Sequence, residues 1–329
     1  MKETLIISGS PHAHSHNSVS RCMWYVTIAL MPAVAVALWQ FGIGAAIVLS
    51  TSIVGCMAVE YAINRWMLHR DCTLANGSAF LTGLLLGMNL PSNLPWWIVL
   101  IGCVAAIGIG KMSFGGLGCN IFNPALVGRV FLLLSFPAQM TSWPLPGVNR
   151  MNYLDAVTGA TTLANLKSGA YEVVTGATST AAVEPSAIQN LLGQVGGSLG
   201  EVGAAALIVG FIYLLCTGVI TWHIPVSIVL TAGLFSWAVG ADPWLEILSG
   251  GMLLGAIFMA TDYVTSPMTH TGMLIYGAMI GLITIIIRQW GAYPEGMSFA
   301  ILLMNGATPL INQWLKPRRF GERRRVQPV

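Results

Sequence analysis

Ser78-Ala79-Phe80-Leu81-Thr82-Gly83-Leu84-Leu85-Leu86-Gly87-Met88-Asn89-Leu90-Pro91 reads as an apolar helix that stops too soon. It is spaced by Gly83 and Gly87 and ends in Asn89 and Pro91. Crossing a bilayer core takes roughly 20 apolar residues, and this run falls short. A short helix at membrane depth lines a cavity or a protein interior, because the backbone groups freed at its end need partners there. A second stretch rhymes with it: Gly251 and Gly255 space another apolar run, which ends in Thr261-Asp262. The pattern indicates an all-α polytopic membrane protein with interrupted helices.

Composition agrees. Of 329 residues, 55% are hydrophobic and only 8% charged, and the mean hydropathy is +0.72. A soluble domain carries roughly 25% charged residues. A net charge of +3 is too mild to indicate a nucleic-acid partner. Met1 to Arg21 is polar, with no early apolar core before a small-residue cleavage site, so no secretory signal is expected and the run from Met23 reads as a retained anchor. The six cysteines form no C-x-x-C pair and read mostly as buried small apolar residues. Cys119 is the best placed for a metal or iron–sulfur cluster shared with a partner.

About ten candidate spans emerge: 23–40, 43–64, 75–90, 96–110, 121–137, 202–221, 225–240, 244–260, 272–288 and 297–314. The third, fourth, seventh and eighth are short for full crossings. Orientation follows from Lys and Arg placement. With both termini cytoplasmic, Lys2, Arg21, Arg65, Arg70, Lys111 and the tail from Lys316 to Arg325 lie inside. Arg150, Lys167 and Arg288 then lie outside, and Arg129 falls within a span. Residues 1–22 are thus a cytoplasmic N-terminus, 23–137 a first five-helix half and 138–200 a long outward-facing loop. Residues 201–315 form a second five-helix half, and 316–329 a basic cytoplasmic tail able to touch anionic lipid.

Ser113-Phe114, Asn120 and Pro124 recur 185 positions later as Ser298-Phe299, Asn305 and Pro309. Five helices is an odd number, so a second copy must run the other way through the membrane. This is the inverted-repeat arrangement in which sites lie near broken helices at the midplane.

The outward loop holds Asp155-Ala156-Val157-Thr158-Gly159-Ala160-Thr161. An acid at fixed offset, small residues and a terminal hydroxyl suit an acceptor for covalent modification, since small residues let a modifying enzyme approach the backbone. The pattern resembles the D-x-x-[ST]-G-A-T acceptor of flavin transferases, which join the phosphate of FMN to the last threonine. Thr161 is then the covalent FMN site, and Asp155, Thr158, Gly159 and Ala160 complete its motif. A second T-G-A-T, preceded by Glu172 in place of the Asp, ends at Thr178 and is the alternative acceptor.

Two further clusters carry polar groups. The run Gly115 to Ala125 places Asn120 and Asn123 beside the early-helix Pro124, as a re-entrant turn contacting a flavin or an ion, or as helix capping. Thr261 to Pro267 offers Asp262 as a cofactor contact, a cation partner or a turn residue. Charges within membrane spans are functional candidates by default, so Glu60 and Arg129 join them, either on an ion path or paired with each other.

These motifs, with Ser10-Pro11-His12, Ser135 to Trp143, Trp222-His223-Ile224-Pro225 and Gly291 to Gly296, resemble the family of D subunits of Rnf (Rsx) ion-translocating electron transport complexes. The B subunit of the sodium-translocating NADH:quinone reductase is a more distant likeness. The resemblance covers essentially the whole chain, with departures at Ala156 and Tyr263. It implies ten helices in two inverted halves in the bacterial inner membrane and covalent FMN on the outward side. It also implies a second, non-covalent flavin (riboflavin) and a flavin transferase for maturation. The partners implied are other membrane and peripheral Rnf subunits, which together move electrons between ferredoxin and NAD, coupled to Na+ or H+ translocation. Such a subunit is a redox carrier in a translocase rather than a catalyst by itself. The competing reading is a small-solute or ion transporter with inverted repeats, in which the T-G-A-T loop is incidental.

Overall fold

The computed structural model describes residues 18–69, 73–147, 153, 158–159, 161, 163, 196–201, 203–291, 293 and 295–316. Helix α1 (Val19–Phe41) starts at Ser18, whose hydroxyl accepts from Arg21 N–H at 3.2 Å, a favoured N-cap. Gly42, at φ +60°, turns the chain into α2 (Ile43–Ala62), which continues through a π-helical turn, Ile63–Met67. The short α3 (Ser78–Met88) follows, then α4 (Trp96–Cys103) with its π-helical extension Val104–Ile109. Next are α5 (Pro124–Ser135) and one turn, α6 (Pro137–Met140). Strands β1 (Trp143–Pro144) and β2 (Thr158–Gly159) pair antiparallel.

The second series is α7 (Ala204–Cys216), α8 (His223–Val239) and α9 (Pro243–Leu248). It ends with the single turn α10 (Met252–Leu254) and its π-helical extension Gly255–Met259, α11 (His270–Trp290) and α12 (Met297–Trp314). The expected eighth run, 244–260, is therefore broken. Gly250 and Gly251, at φ +68° and +64°, separate its two pieces.

Ser20 Oγ donates to Ala75 O at 3.3 Å, while Gly147 N–H donates to Gln40 O at 3.0 Å. These contacts define a basal end, where α1 begins, and a distal end, where it stops. Among the described residues, Val19–Phe41, Ile43–Met67, Trp96–Phe114 and His270–Trp290 are long and apolar enough to cross a membrane. α3, α5, α7 and α8 are apolar but shorter. Trp39, Leu134, Leu234, Trp237 and Trp314 are exposed around the bundle, an apolar surface that water alone would not tolerate. The chain is a multi-pass, mostly helical membrane protein.

Small residues set how closely the helices approach, as in other membrane bundles. A Cβ on Gly83 would stand 2.7 Å from both Ile53 Cα and Ser52 O of α2. Ser52 Oγ donates to Gly83 O at 2.7 Å, locking the same contact. On α11, a Cβ on Gly277 or Gly281 would likewise meet the backbone of α8, at Ile224 O (2.9 Å) and Ile228 O (2.7 Å). Gly83→Ala puts a methyl against backbone that cannot rotate away, so it should cost roughly 1–3 kcal/mol. The measurement is apparent Tm in detergent, and an unchanged Tm would mean α2 and α3 lie farther apart than this.

The motif pair that suggested the repeat does not mark equivalent places. Ser113-Phe114 lies in a 3-10 turn and Pro124 opens α5, whereas Ser298-Phe299 opens α12 and Pro309 lies inside it. Nor do Glu60 and Arg129 pair. Glu60, near the end of α2, meets Lys111, which leaves the extension of α4 close by. Arg129, in mid-α5, meets Glu295 in the segment that precedes α12.

Candidate functional site

At the basal end the structure brings together two clusters that lie far apart in the sequence. A cleft is walled by α1, α3, the Gly115–Ala125 run and residues 257–264. Asn120, Asn123 and Asp262 all line it, among Val26, Leu81, Leu85, Leu117, Ile257 and Phe258. Asn123 Oδ1 caps α5 by accepting from Ala125 N–H (3.1 Å), and its Nδ2 donates to Met259 O (3.2 Å). Asp262 Oδ1 accepts from Val264 N–H at 3.5 Å, and Asn120 Nδ2 donates to Phe122 O at 3.0 Å. Burial raises Asp262 above the ordinary carboxyl range, against the opposing pull of Val264 N–H, Asn120 and Thr265. Asn123 thus caps α5, and both Asn side chains line the cleft.

Sequence reading missed Lys111 as part of this cleft, having counted it only as a positive-inside charge. Its Nζ donates to Glu60 Oε2 at 2.5 Å and to Ser78 Oγ at 2.8 Å, at the N-terminus of α3. Its place directly after an apolar run was the available signal.

At the distal end the acceptor motif is pinned by the β-bridge, with Thr158 opposite Pro144 and Gly159 opposite Trp143. A Cβ on Gly159 would stand 2.9 Å from Leu145 Cδ2, the end of an exposed side chain that would have to turn aside. Thr158 is exposed, whereas Thr161 is only 3% exposed and Leu163 5%. The expected open acceptor is therefore tucked in at its last residue. Asp155, Ala160 and Thr178 lie outside the described residues.

Leu163, close to Thr161 along the chain, and the Arg288 guanidinium both abut Gly250. Arg288 Nη1 donates to Glu246 O (2.5 Å) and Oε2 (2.8 Å), and Nη2 donates to Ser249 O (2.9 Å) and Gly250 O (3.2 Å). Its Nε is buried and makes no hydrogen bond among the described residues. Arg129 donates to Glu295 and to Ser298 Oγ, and with Trp143 and Tyr293 it lines a small distal cavity. Two buried guanidiniums thus lie at the end of the bundle that carries the acceptor.

A multi-pass membrane bundle thus carries the T-G-A-T segment at one end and a cleft lined by Asn and Asp side chains at the other. The chain belongs to the NQR2, RnfD, RnfE family, whose pattern matches residues 6–321. It is 45% identical to the D subunit of the Na+-translocating ferredoxin:NAD+ oxidoreductase complex of Acetobacterium woodii, over 96% of this chain and 95% of the relative. It is 42% identical to the D subunit of the proton-translocating ferredoxin:NAD+ oxidoreductase complex of Clostridium ljungdahlii, over 98% of each. The D subunit of the ion-translocating oxidoreductase complex of Cronobacter sakazakii is 38% identical, over 96% of this chain and 99% of the relative.

Proposed function

We propose that this chain is the flavin-bearing membrane subunit of an Rnf-type complex that passes electrons between ferredoxin and NAD and couples them to ion movement. The observation that carries the reading is the D-A-V-T-G-A-T acceptor held by the β1–β2 bridge, in a chain whose relatives bear those names. Thr161 carries FMN through a phosphoester, and Asp155 to Ala160 present it to a flavin transferase. Release of the segment around Thr161 from its buried position precedes that reaction. The orphaned Arg288 Nε, buried near Leu163 and Gly250, supports the assignment, since an anionic phosphate suits an unpaired cationic donor. The flavin supplies the redox chemistry; the protein supplies position and electrostatics. Other Rnf subunits are the partners on either side.

A second, non-covalent flavin takes the basal cleft. Its apolar walls suit a flat ring system, and Asn120, Asn123 and Asp262 give polar contacts at the rim, the composition of a typical cofactor pocket. Lys and Arg bias puts the basal end in the cytoplasm and the acceptor outside.

Ten helices in two inverted halves fit this topology, with α1 to α5 matched to α7, α8, α10, α11 and α12. Two buried cations favour that match. Lys111, after α4, reaches Glu60 and the start of α3 at the basal end. Arg288, near the end of α11, reaches Glu246 and the glycine turn before α10 at the opposite end. The transporter reading is less well supported, because the buried charges Glu60, Lys111, Arg129, Glu295, Arg288 and Glu246 pair with one another instead of lining a path.

The test uses protein purified from a host that also makes a flavin transferase. Acid precipitation should leave one flavin bound to the polypeptide and release a second into the supernatant. Asn120→Leu should remove most of the released flavin and leave the bound one. A pellet without flavin sinks the covalent assignment, and a supernatant without flavin sinks the basal one. The Acetobacterium and Clostridium relatives are named for different ions, so overall likeness does not choose the coupled ion.

A further inference from the structure

At the distal end, residues 196–201 dock on the stub of α3: Leu199 N–H donates to Leu90 O (3.2 Å) and Gly200 N–H to Met88 O (2.6 Å). This docking carries Glu201 to the wall of a small cavity whose other lining residues are mostly small or apolar, among them Ala204, Leu207, Leu248, Gly251 and Leu254. Glu201 supplies the one ionisable side chain in that wall. Its carboxyl accepts from Ser198 Oγ at 2.8 Å.

Arg129, Glu295 and Arg288 are the charged groups that act on it. Arg129 on α5 and Glu295 before α12 form one ion pair, and Arg288 on α11 and Glu246 on α9 form another. Both guanidiniums direct their terminal N–H groups to those partners, to Ser298 and to backbone carbonyls. Three carboxyls therefore share two cations, and Glu201 has no direct cation partner among the described residues. Glu295 Oε1 is buried without a hydrogen bond among the described residues, so the cluster is short of donors as well as of positive charge. An unneutralised carboxylate against apolar walls is costly, and the neutral acid relieves that cost.

We propose that Glu201 is a proton-binding group at the distal end, holding one proton in the folded protein and exchanging it with water on that face. Loading forms one O–H bond on the carboxyl with a proton taken from water; release returns it, and no electron moves. The residue as a whole keeps part of its surface open, while its carboxyl is desolvated. Desolvation and the nearby Glu295 push the Glu201 carboxyl up to about 8, against the opposing pull of Arg129, Ser198 and Arg288. Because the folded protein holds this proton more tightly than the unfolded chain, stability falls as pH rises from the ordinary carboxyl range through that midpoint. Gly250 and Gly251 separate Glu201 from Leu163, so each proton changes the charge beneath the acceptor segment. The proposal stands whether or not a flavin occupies Thr161.

Infrared difference spectroscopy of the full chain in lipid nanodiscs tests it. Below pH 8 a protonated-carboxyl C=O band that shifts in deuterated water should be present, and it should fade with a midpoint near 8. The band should be missing in Glu201→Gln and retained in Asp262→Asn. Ser198→Ala, which removes a bond to the charged form, should move the midpoint upward, and it keeps the test open if the Gln variant folds poorly. A band absent below the midpoint, one that survives Glu201→Gln, or one removed by sodium at constant pH would each overturn the assignment. The last result would mark a cation site instead.

Discussion

Thr161→Val should turn a fluorescent band dark. On a denaturing gel under ultraviolet light, non-covalent flavin is lost and only a covalently attached one glows with the polypeptide. Valine keeps the size and β-branching of threonine, so it preserves packing at a position that is only 3% exposed, but it has no oxygen to carry the phosphoester. The loss should be complete, because the D-x-x-[ST]-G-A-T pattern directs the transferase to the threonine that follows Ala160 and not to the adjacent Thr162. Thr158→Val and Thr178→Val should stay fluorescent. A dark Thr178→Val band with a bright Thr161→Val band would move the acceptor to the second T-G-A-T. A Gly159→Val variant should dim the band as well, because it adds a branched side chain inside the T-G-A-T motif and crowds Leu145 beside the bridge.

The T-G-A-T segment stood out because it is a contiguous string with a chemical logic, and the membrane class was legible because composition alone excludes a soluble domain. The short α3 was equally readable: Gly83, Gly87 and Pro91 announce where a helix is pressed against a neighbour and where it must stop. The partners of the buried charges were not. Glu60 and Arg129 are the charges that hydropathy exposes most plainly, yet Glu60 meets Lys111, 51 positions away, and Arg129 meets Glu295, 166 positions away. Such pairings are set by which helix ends share a face, and one sequence holds no record of that. Glu201 escaped for a related reason. It stands at the edge of a polar loop, and only the docking of Leu199 and Gly200 on α3 carries its carboxyl into an apolar cavity. The supposed repeat of Asn120-Pro124 in Asn305-Pro309 misled because Pro opens a helix in one place and interrupts one in the other.

Lys111→Met should be the most destabilising single change at the basal end, by roughly 3–5 kcal/mol. Lys111 and Glu60 are 3% and 1% exposed, so removing the ammonium leaves a carboxylate with no water to turn to. What remains for Glu60 is the Thr73 hydroxyl at 2.7 Å, itself held by Asn64 Nδ2 at 3.0 Å. The double variant Lys111→Met/Glu60→Gln removes both charges and should recover most of the loss, because a buried ion pair is costly to break but inexpensive to replace whole. Additive losses would show that the two side chains do not interact. The distal pair provides the contrast. Glu246→Gln deprives Arg288 of a carboxylate but leaves the carbonyls of Glu246, Ser249 and Gly250 as acceptors, whereas Lys111 in Glu60→Gln keeps, among the described residues, the Ser78 hydroxyl and one amide oxygen. Apparent Tm in detergent should therefore fall less for Glu246→Gln than for Glu60→Gln. The reverse order would mean that charge pairing, and not the number of acceptors left behind, governs how this bundle tolerates its buried cations.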